Sequence, residues 1–285
     1  MPSEAALIER IKSRAESLSP SQRQLARHVV DNYQAVAFST VSDLSRLSGV
    51  SEATVVRFAA ALGFTGYAAF QKEVRRVVRA DLKGTDRFSL ARPKKPAVEG
   101  PLKAVIGKEL ENIGHLGESF DTTTLLQASA RLRSASEILV VGSRSTASLA
   151  THLWFALDKL RLPVVKVTGT GSEALDRAAR LGPRACVVVI GFPRYLRELV
   201  DLLAFARRRG IRTVAITDSP FSPLKGDVNL YALAESSSFV AFHCAPLILV
   251  NALVDEVSRA DPKRTLDALR EFEALAEEVG LFHPA

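Results

Sequence analysis

Cysteine is scarce in this chain of 285 residues, and long apolar runs are absent. The two cysteines, Cys186 and Cys244, are far apart and flanked by apolar residues, so we interpret them as buried free thiols in a reducing compartment. Cysteine and histidine form no cluster with metal-ligand spacing, and we expect neither a metal nor a cofactor. No apolar stretch reaches the roughly 20 residues that cross a bilayer, and the acid-bearing segment Met1–Arg14 is unlike a secretory signal. The sequence therefore predicts a cytoplasmic protein that does not enter a membrane.

Acidic residues are fewer than basic ones, with 31 Asp and Glu against 38 Lys and Arg, for a net charge of +7. Residues Met1–Ala80 include 11 basic and 7 acidic residues, whereas the segment from Ser136 to the end includes 18 basic and 17 acidic ones. The excess in the first part is expected if that part binds a polyanion such as DNA. On charge alone, a solvated basic surface is an equally good interpretation.

The chain divides where its composition changes. The segment Ala80–Pro101 contains three prolines and has no sustained period, which is typical of a linker. We assign residues 1–80 to an all-α domain, 81–122 to a linker and connecting helix, and 123–285 to an α/β domain with a C-terminal helix. The fold class is therefore α + α/β with two domains.

Short β-branched runs alternate with helical stretches after the linker, which is the pattern of a parallel sheet covered on both faces. We expect five strands, which are 138–141, 164–167, 186–190, 213–217 and a weaker one at 228–231. The helices expected between and after them are 146–160, 172–180, 195–209, 239–259 and 266–279. The last one repeats apolar residues on one face, namely Leu266, Leu269, Phe272, Ala276 and Val279.

A helix-turn-helix pattern occupies Phe38–Gly63. Thr40 and Asp43 mark the start of the first helix, Leu44 and Leu47 give it an apolar face, and Gly49 ends it. Ser51 caps a second helix. If Val50, Val55 and Phe58 of this segment face inward, the residues left outward are Ser51, Glu52, Ala53, Val56, Arg57 and Ala60.

The second helix carries the candidate contacts to bases. Small residues permit close approach, and Arg57 can make a bidentate contact to guanine. The candidate DNA-binding residues are Ser51, Glu52, Ala53, Thr54, Arg57 and Lys72. A helix hairpin with a glycine turn is common, and Arg57 could instead form a surface ion pair with Asp43 or Glu52.

Three segments resemble the N-terminal domain of the RpiR (MurR/RpiR) family of regulators: LSPSQRQLARHVV, STVSDLSRLSGVSEATVVRFAAALGF and TGYAAFQKEV. The resemblance spans Leu18–Val78 and implies a five-helix bundle without a wing that binds palindromic operators as a dimer. Ser45 departs from the alanine usual in the family.

The α/β domain places polar loops at the carboxyl ends of its strands, where open parallel sheets bind ligands. The loop VGSRSTAS follows the first strand, and its hydroxyls on Ser143, Ser145 and Thr146 lie beside the free amides of a helix start. This arrangement suits an anion. Plain capping of the helix by Ser145 explains the loop equally well.

The segments ILVVGSRSTAS, CVVVIG, GIRTVAITDSPFSPLKGDVNL and SFVAFHCAPLILVNAL resemble a sugar isomerase (SIS) domain, between Thr123 and Arg259. The resemblance implies phosphosugar binding and association into a homodimer or homotetramer. Many SIS domains have a Ser-x-Ser-Gly-x-Thr phosphate loop after the third strand, whereas this chain has Gly191–Arg197 without those hydroxyls. The arginines there can hold an anion as a guanidinium fork or can be solvent-facing. The candidate ligand residues are Ser143, Arg144, Ser145, Thr146, Arg194, Tyr195, Arg197 and Ser236.

These observations predict a transcriptional regulator that binds operator DNA and is controlled by a small anionic effector, with a sugar phosphate as the leading candidate. The alternative is a sugar-phosphate isomerase, for which Asp218, Glu235 and His243 are the candidate bases. A nucleoid-type protein fits less well, because the basic excess is modest. The apolar run 239–250 is a candidate for part of the dimer interface, or it covers the sheet.

Overall fold

The computed structural model describes residues 11, 13–14, 17–37, 39–81, 85, 100–236, 238, 240–241 and 243–283. The chain forms two compact units, Met1–Leu90 and Ala91–Ala285. Part of the linker predicted at 80–101 lies outside the described residues. The sequence-based division at 81–122 stays a prediction.

The described part of the first unit is helical. Its helices are α1 (Pro20–Asp31), α2 (Tyr33–Val36), α3 (Val41–Ser48), α4 (Glu52–Ala61) and α5 (Tyr67–Asp81). They enclose a core in which the ring of Phe70 contacts that of Phe58 edge-on, with centroids 5.7 Å apart. Leu44 is fully buried in this core, whereas Leu47 is 55% exposed, so the expectation that both supply the apolar face of α3 is wrong for Leu47. Val41 is partly buried and also packs against this core, so the inward face of α3 runs through Val41 and Leu44.

The second unit opens with α6 (Gly100–Ser119) and α7 (Thr122–Arg133), and its sheet consists of five parallel strands in the order β2-β1-β3-β4-β5. The strands are β1 (Ile138–Val141), β2 (Val164–Val167), β3 (Cys186–Ile190), β4 (Arg212–Thr217) and β5 (Val228–Tyr231). The remaining helices are α8 (Ala147–Lys159), α9 (Glu173–Ala178), α10 (Arg197–Arg208), α11 (Cys244–Arg259) and α12 (Pro262–Glu278). The predicted strands and the α/β fold class are confirmed.

The two faces of the sheet belong to different cores. Ile138 and Val140 pack with α6, α7, α8 and α11, while Leu139 and Val141 pack with α9 and α10. This alternation follows from the two-residue period of a strand. Helices thus cover both sides, which explains the near-continuous apolar strand sequences.

The expected start of the helix at 239–259 is wrong. Helix α11 begins at Cys244, not at Phe239, because the carboxylate of Glu109 accepts a hydrogen bond from the Cys244 amide (3.1 Å) and satisfies the first free N–H there. Phe239 lies outside the described residues.

Helix α12 is present as predicted, although it starts at Pro262 instead of Leu266. Within this chain, its buried residues are Ala268 and Ala276, whereas Leu266, Leu269 and Val279 are exposed.

The cysteines differ as well. Cys186 is buried in β3, where burial raises the pKa of its thiol to about 12. Cys244 is exposed at the first position of α11, so the expectation of two buried thiols is wrong for Cys244. Both thiols are free.

Among the interface candidates in 239–250, Leu249 and Val250 cover the sheet and Ile248 faces solvent.

Candidate functional site

The start of α3 is fixed by a reciprocal cap. The Thr40 hydroxyl accepts a hydrogen bond from the Asp43 amide (3.1 Å), and the Asp43 carboxylate accepts one from the Thr40 amide (3.2 Å). Hydrogen bonds from Thr40 hold the pKa of the Asp43 carboxyl below its usual range. The helix ends as predicted at Gly49, with a φ of +71° that glycine adopts without strain.

The turn between α3 and α4 is closed by side chains. The Ser45 hydroxyl donates a hydrogen bond to the Val50 carbonyl (2.5 Å), and the Gln24 amide donates one to the Ser48 carbonyl (2.8 Å). Ser45, the departure from the family pattern, therefore supports the turn. Ser51 then caps α4 by accepting a hydrogen bond from the Thr54 amide (3.3 Å).

Helix α4 presents the outward surface that the sequence predicts. All six residues expected to face outward are exposed, namely Ser51, Glu52, Ala53, Val56, Arg57 and Ala60. The Arg57 guanidinium has a long contact with the Thr54 hydroxyl (3.5 Å), and no carboxylate in the described part of the chain pairs with it. Asp43 instead pairs with Arg46 (3.2 Å), and Glu52 accepts a hydrogen bond from Ser42.

Two other candidates for DNA contact differ in exposure. Thr54 is only 8% exposed and its hydroxyl lies 2.9 Å from that of Ser51, so its side chain belongs to the helix cap. Lys72 is exposed on α5. Arg57 is thus the residue of α4 with the reach and charge for a base contact.

In the second unit, the switch point of the sheet lies between β1 and β3. These strands are neighbours, yet the helices that follow them, α8 and α10, pack on opposite faces. The loops after the two strands therefore diverge and leave a crevice at the carboxyl edge, where sheets of this strand order bind ligands.

The hydroxyls beside the crevice serve the fold. The single hydroxyl proton of Thr146 is shared between the carbonyls of Ser143 and Ile190, both at 3.0 Å, and the Ser143 hydroxyl donates to the Gly169 carbonyl (2.6 Å). Ser145 is exposed, and neither the short 3-10 turn Arg144–Thr146 nor α8 has a side-chain cap. The expectation that Ser145 caps the helix is wrong, because the 3-10 turn shifts the start of α8 to Ala147.

Two arginines at the loop tips adopt left-handed backbone conformations. Arg144 after β1 has a φ of +58°, and Arg194 after β3 has a φ of +70°. Both are exposed, and neither guanidinium contacts a partner within the described chain. Strained backbone of this kind concentrates at ligand sites. Arg197 lies differently: its side chain is 93% exposed and is 3.6 Å from Asp201 on the same helix.

The loop after β3 lacks the hydroxyls of the usual SIS phosphate loop and is held by one side-chain hydrogen bond and by apolar packing. The Tyr195 hydroxyl donates a hydrogen bond to the buried Asp218 carboxylate, which joins the loops after β3 and β4. A Cβ atom added at Gly191 would lie 2.5 Å from Leu224 Cδ1, so this leucine fills the space of a larger residue at that position.

A polar network surrounds the loop after β5. Lys108 Nζ lies 2.6 Å from Glu235 Oε2, and the buried Asn112 amide donates to the Glu235 carbonyl (2.8 Å). The His243 ring contacts that of Phe192, with centroids 5.8 Å apart. Burial lowers the pKa of this imidazole, and nearby Glu109 acts in the opposite direction.

A family model described as the helix-turn-helix domain of the rpiR family matches residues 5–79, and a model of the SIS domain matches residues 131–255. The chain belongs to the RpiR family of transcriptional regulators. HexR of Escherichia coli, an HTH-type transcriptional regulator, is 23% identical over 224 residues, which cover 79% of this chain and 76% of HexR.

Two solved structures share the fold of this RpiR chain. The sugar isomerase domain of an RpiR transcription factor from Sphaerobacter thermophilus is 28% identical, with a TM-score of 0.58, and the match covers 60% of this chain and 96% of that domain. NanR of Vibrio vulnificus, solved as a complex with ManNAc-6P, is 20% identical, with a TM-score of 0.57, and the match covers 98% of this chain and 100% of NanR.

Apart from Arg197, which pairs with Asp201 on α10, the candidate ligand residues of the RpiR chain fall into three groups. Arg144, Ser145 and Arg194 are exposed at the two loop tips, while the side chains of Ser143, Thr146 and Tyr195 make hydrogen bonds that hold the loops. Ser236 belongs to the β5 loop, where its hydroxyl donates to the Ser238 carbonyl (2.9 Å).

No helix of the described part is both long and apolar enough for a membrane span.

Sequence analysis missed the contribution of α6. Lys108, Glu109 and Asn112 lie on the face of this helix that meets the β5 loop and the start of α11. The available signal was the spacing of these polar residues, since positions 108, 109 and 112 share one face of a helix.

Proposed function

We propose that this RpiR-family chain reads operator DNA with α4 and senses a small anionic effector, a phosphosugar or a related sugar metabolite, at the β1/β3 crevice. Its operator contacts are Ser51, Glu52, Ala53 and Arg57, with Lys72 as a phosphate contact. The exposed face of α4 and the unpaired Arg57 support this role. A regulator of chromosomal DNA acts in the cytoplasm.

The single observation that carries the effector proposal is the pair Arg144 and Arg194. Two unpaired guanidinium groups at the tips of neighbouring loops can close on one anion from two sides, and charge-assisted bonds of this kind are strong. The exposed Ser145 hydroxyl adds a donor beside Arg144. The ManNAc-6P complex of NanR, a protein of the same fold, supports a sugar phosphate as the ligand class.

We further propose a two-state mechanism in a homodimer or homotetramer. Two copies of α4 reach two half-sites only when association holds them at operator spacing, about 34 Å apart. The effector must bind one arrangement of the assembly better than the other, since equal affinity for both would change nothing.

The chain acts as a regulator and not as an isomerase in this proposal. Two of the candidate bases have partners, since Asp218 accepts a hydrogen bond from Tyr195 and Glu235 pairs with Lys108. Both contacts join loops of the domain, so each carboxylate has a structural role that does not require catalysis. We expect no turnover of ketose or aldose phosphates by the purified full-length protein.

The test is a thermal-shift screen of the full-length protein with phosphosugars, sugar acids and inorganic phosphate, followed by DNA binding with each ligand that raises the melting temperature. We expect at least one sugar phosphate to stabilise the protein and to change its affinity for its operator. Stabilisation by uncharged ligands alone would contradict the anionic effector. A ligand that is converted during the assay would favour the isomerase.

A further inference from the structure

We propose that a second cleft, next to the β1/β3 crevice, binds the hydroxyl-bearing part of the effector, with Glu198 as the acceptor. This cleft has a volume of about 150 Å³, and its lining includes Ser143, Gly169, Gly171, Leu175, Glu198 and Leu199. A cavity of roughly this volume holds one six-membered ring. The cleft therefore has room for a sugar ring but not for a whole sugar phosphate.

The two carboxylate oxygens of Glu198 differ in their surroundings. Oε2 accepts a hydrogen bond from the Gly171 amide at 2.8 Å. Oε1 is buried and has no hydrogen-bond partner among the residues that the structure describes. An acceptor that is removed from water without a donor is unfavourable. Glu198 lines the cleft, so a rotation of its carboxylate that exposes Oε1 to a bound hydroxyl stabilises this group.

The other polar groups of the lining are already engaged. The Ser143 hydroxyl donates to the Gly169 carbonyl (2.6 Å), and the Ser172 hydroxyl bonds to the Asp176 carboxylate (3.0 Å). Asp201 faces solvent and pairs with Arg197. Leu175 and Leu199 supply apolar wall. One free acceptor between apolar walls fits a polyhydroxylated carbon ring, whose faces are apolar and whose hydroxyls donate.

This inference rests on the proposed function and adds the orientation in which the effector binds. Arg144 follows Ser143 directly, and Arg194 precedes Glu198 by four residues, so the loop-tip arginines adjoin the cleft along the chain. Because a carboxylate repels an anion, the anionic group lies with the arginines and the hydroxyls point to Glu198. Glu198 is then a specificity-determining residue that separates a sugar phosphate from a simple phosphate.

The experiment observes the Gly171 amide by NMR in the isotope-labelled full-length protein, since this N–H is bonded to Glu198. The probes are uncharged hexoses and hexitols, their 6-phosphates, and inorganic phosphate. We expect the uncharged sugars to shift the Gly171 signal with millimolar affinity and the matching 6-phosphate to bind more tightly. Inorganic phosphate should leave the signal in place.

Three variants then test whether the hexose binds in the cleft and whether Glu198 contacts it. Glu198→Gln keeps an oxygen for Gly171 but replaces the other with a donor, and we expect it to weaken hexose binding at least tenfold. Leu175→Trp, a change at an exposed position, should block the cleft without unfolding the protein. Glu173→Gln on α9 is the matched control: this carboxylate pairs with Arg177 and is not part of the cleft lining, so the variant should bind as the parent does.

The outcomes separate the two proposals. If uncharged sugars do not shift the Gly171 signal, or if Glu198→Gln binds them as well as the parent, the cleft is not a sugar site. Binding of 6-phosphates that depends on Arg194 and ignores Glu198 overturns the cleft and leaves the proposed effector class intact. Hexose binding that depends on Glu198, without any gain from the phosphate, supports the cleft and contradicts the anionic effector.

Discussion

Lys108 on α6 and Glu235 in the loop after β5 form an ion pair of 2.6 Å whose side chains are 21% and 19% exposed. Burial alone would lower the pKa of the Lys108 ammonium, but hydrogen bonds to Glu235 and Glu111 outweigh it and raise the pKa. The pair joins two parts of the chain that are 127 residues apart. It therefore fixes the β5 loop to a helix that is distant in sequence.

Removal of one partner of this pair should destabilise the α/β domain. Lys108→Met removes this ion pair from the largely buried Glu235 carboxylate, and we expect a loss of about 2 kcal/mol in the free energy of unfolding, less than for a fully buried pair. Glu111→Gln is the control, because Glu111 also contacts Lys108 but is 65% exposed. Denaturant unfolding measures both, and equal losses would contradict the importance of burial.

Arg57→Ala should separate DNA reading from folding. The side chain is exposed and has only the long contact to Thr54, so the melting temperature should stay near that of the parent. Loss of a guanine contact costs about 1–3 kcal/mol per half-site, so specific affinity should fall roughly tenfold or more. Fluorescence anisotropy on operator and random DNA checks this. Equal loss on both DNAs would make Arg57 a phosphate contact.

Replacement of Arg194 by glycine should weaken effector binding without lowering stability. Arg194→Gly relieves a strain of about 1 kcal/mol, which offsets the unfolded-state entropy that glycine adds. Stability should therefore stay near that of the parent, while affinity for the effector falls roughly tenfold to a hundredfold with the lost charge. Arg197→Gly, within α10 and solvent-facing, is the contrast: it should lower stability and spare binding. The reverse pattern would exclude Arg194 from the site.

His243 should make stability depend on pH. Because burial lowers its pKa in the folded state, the unfolded chain binds the proton more readily, and stability falls as the pH drops through about 6.5, the ordinary value for histidine. His243→Gln should reduce the difference in the free energy of unfolding between about pH 7.5 and about pH 5.5. His115→Gln, at a half-exposed position of α6, should retain it. An unchanged difference in His243→Gln would contradict this assignment.

The sequence was a good guide to elements whose signal is local. Apolar runs marked the strands, and the caps at Thr40 and Ser51 and the stop at Gly49 placed α3 and α4, because each depends on residues within one turn. The same logic failed at Ser145. A 3-10 turn closes its hydrogen bonds over three residues instead of four, and no side-chain pattern in this loop distinguishes it from the first turn of an α-helix.

Long-range contacts were beyond local patterns. The contact between Glu109 and the start of α11 spans 135 residues. The helix begins at this contact, although the apolar residues before it have the sequence pattern of the same helix. The hydroxyl of Thr146 was assigned to a ligand because of its place at a helix start, yet the Ile190 carbonyl on a neighbouring strand uses it. A short polar side chain has the same pattern in sequence whether it faces a ligand or the backbone.

The bond from Thr146 to Ile190 also determines how much freedom the crevice has before any ligand arrives. The ends of β1 and β3 are already joined, and Ser143 is joined to the loop after β2, so side-chain hydrogen bonds hold the base of the crevice before a ligand binds. In the proposed effector complex, binding would order mainly the two arginine side chains at the rim, at about 0.5–1.5 kcal/mol for each. Preorganisation of this kind lets a small ligand bind with useful affinity through few contacts.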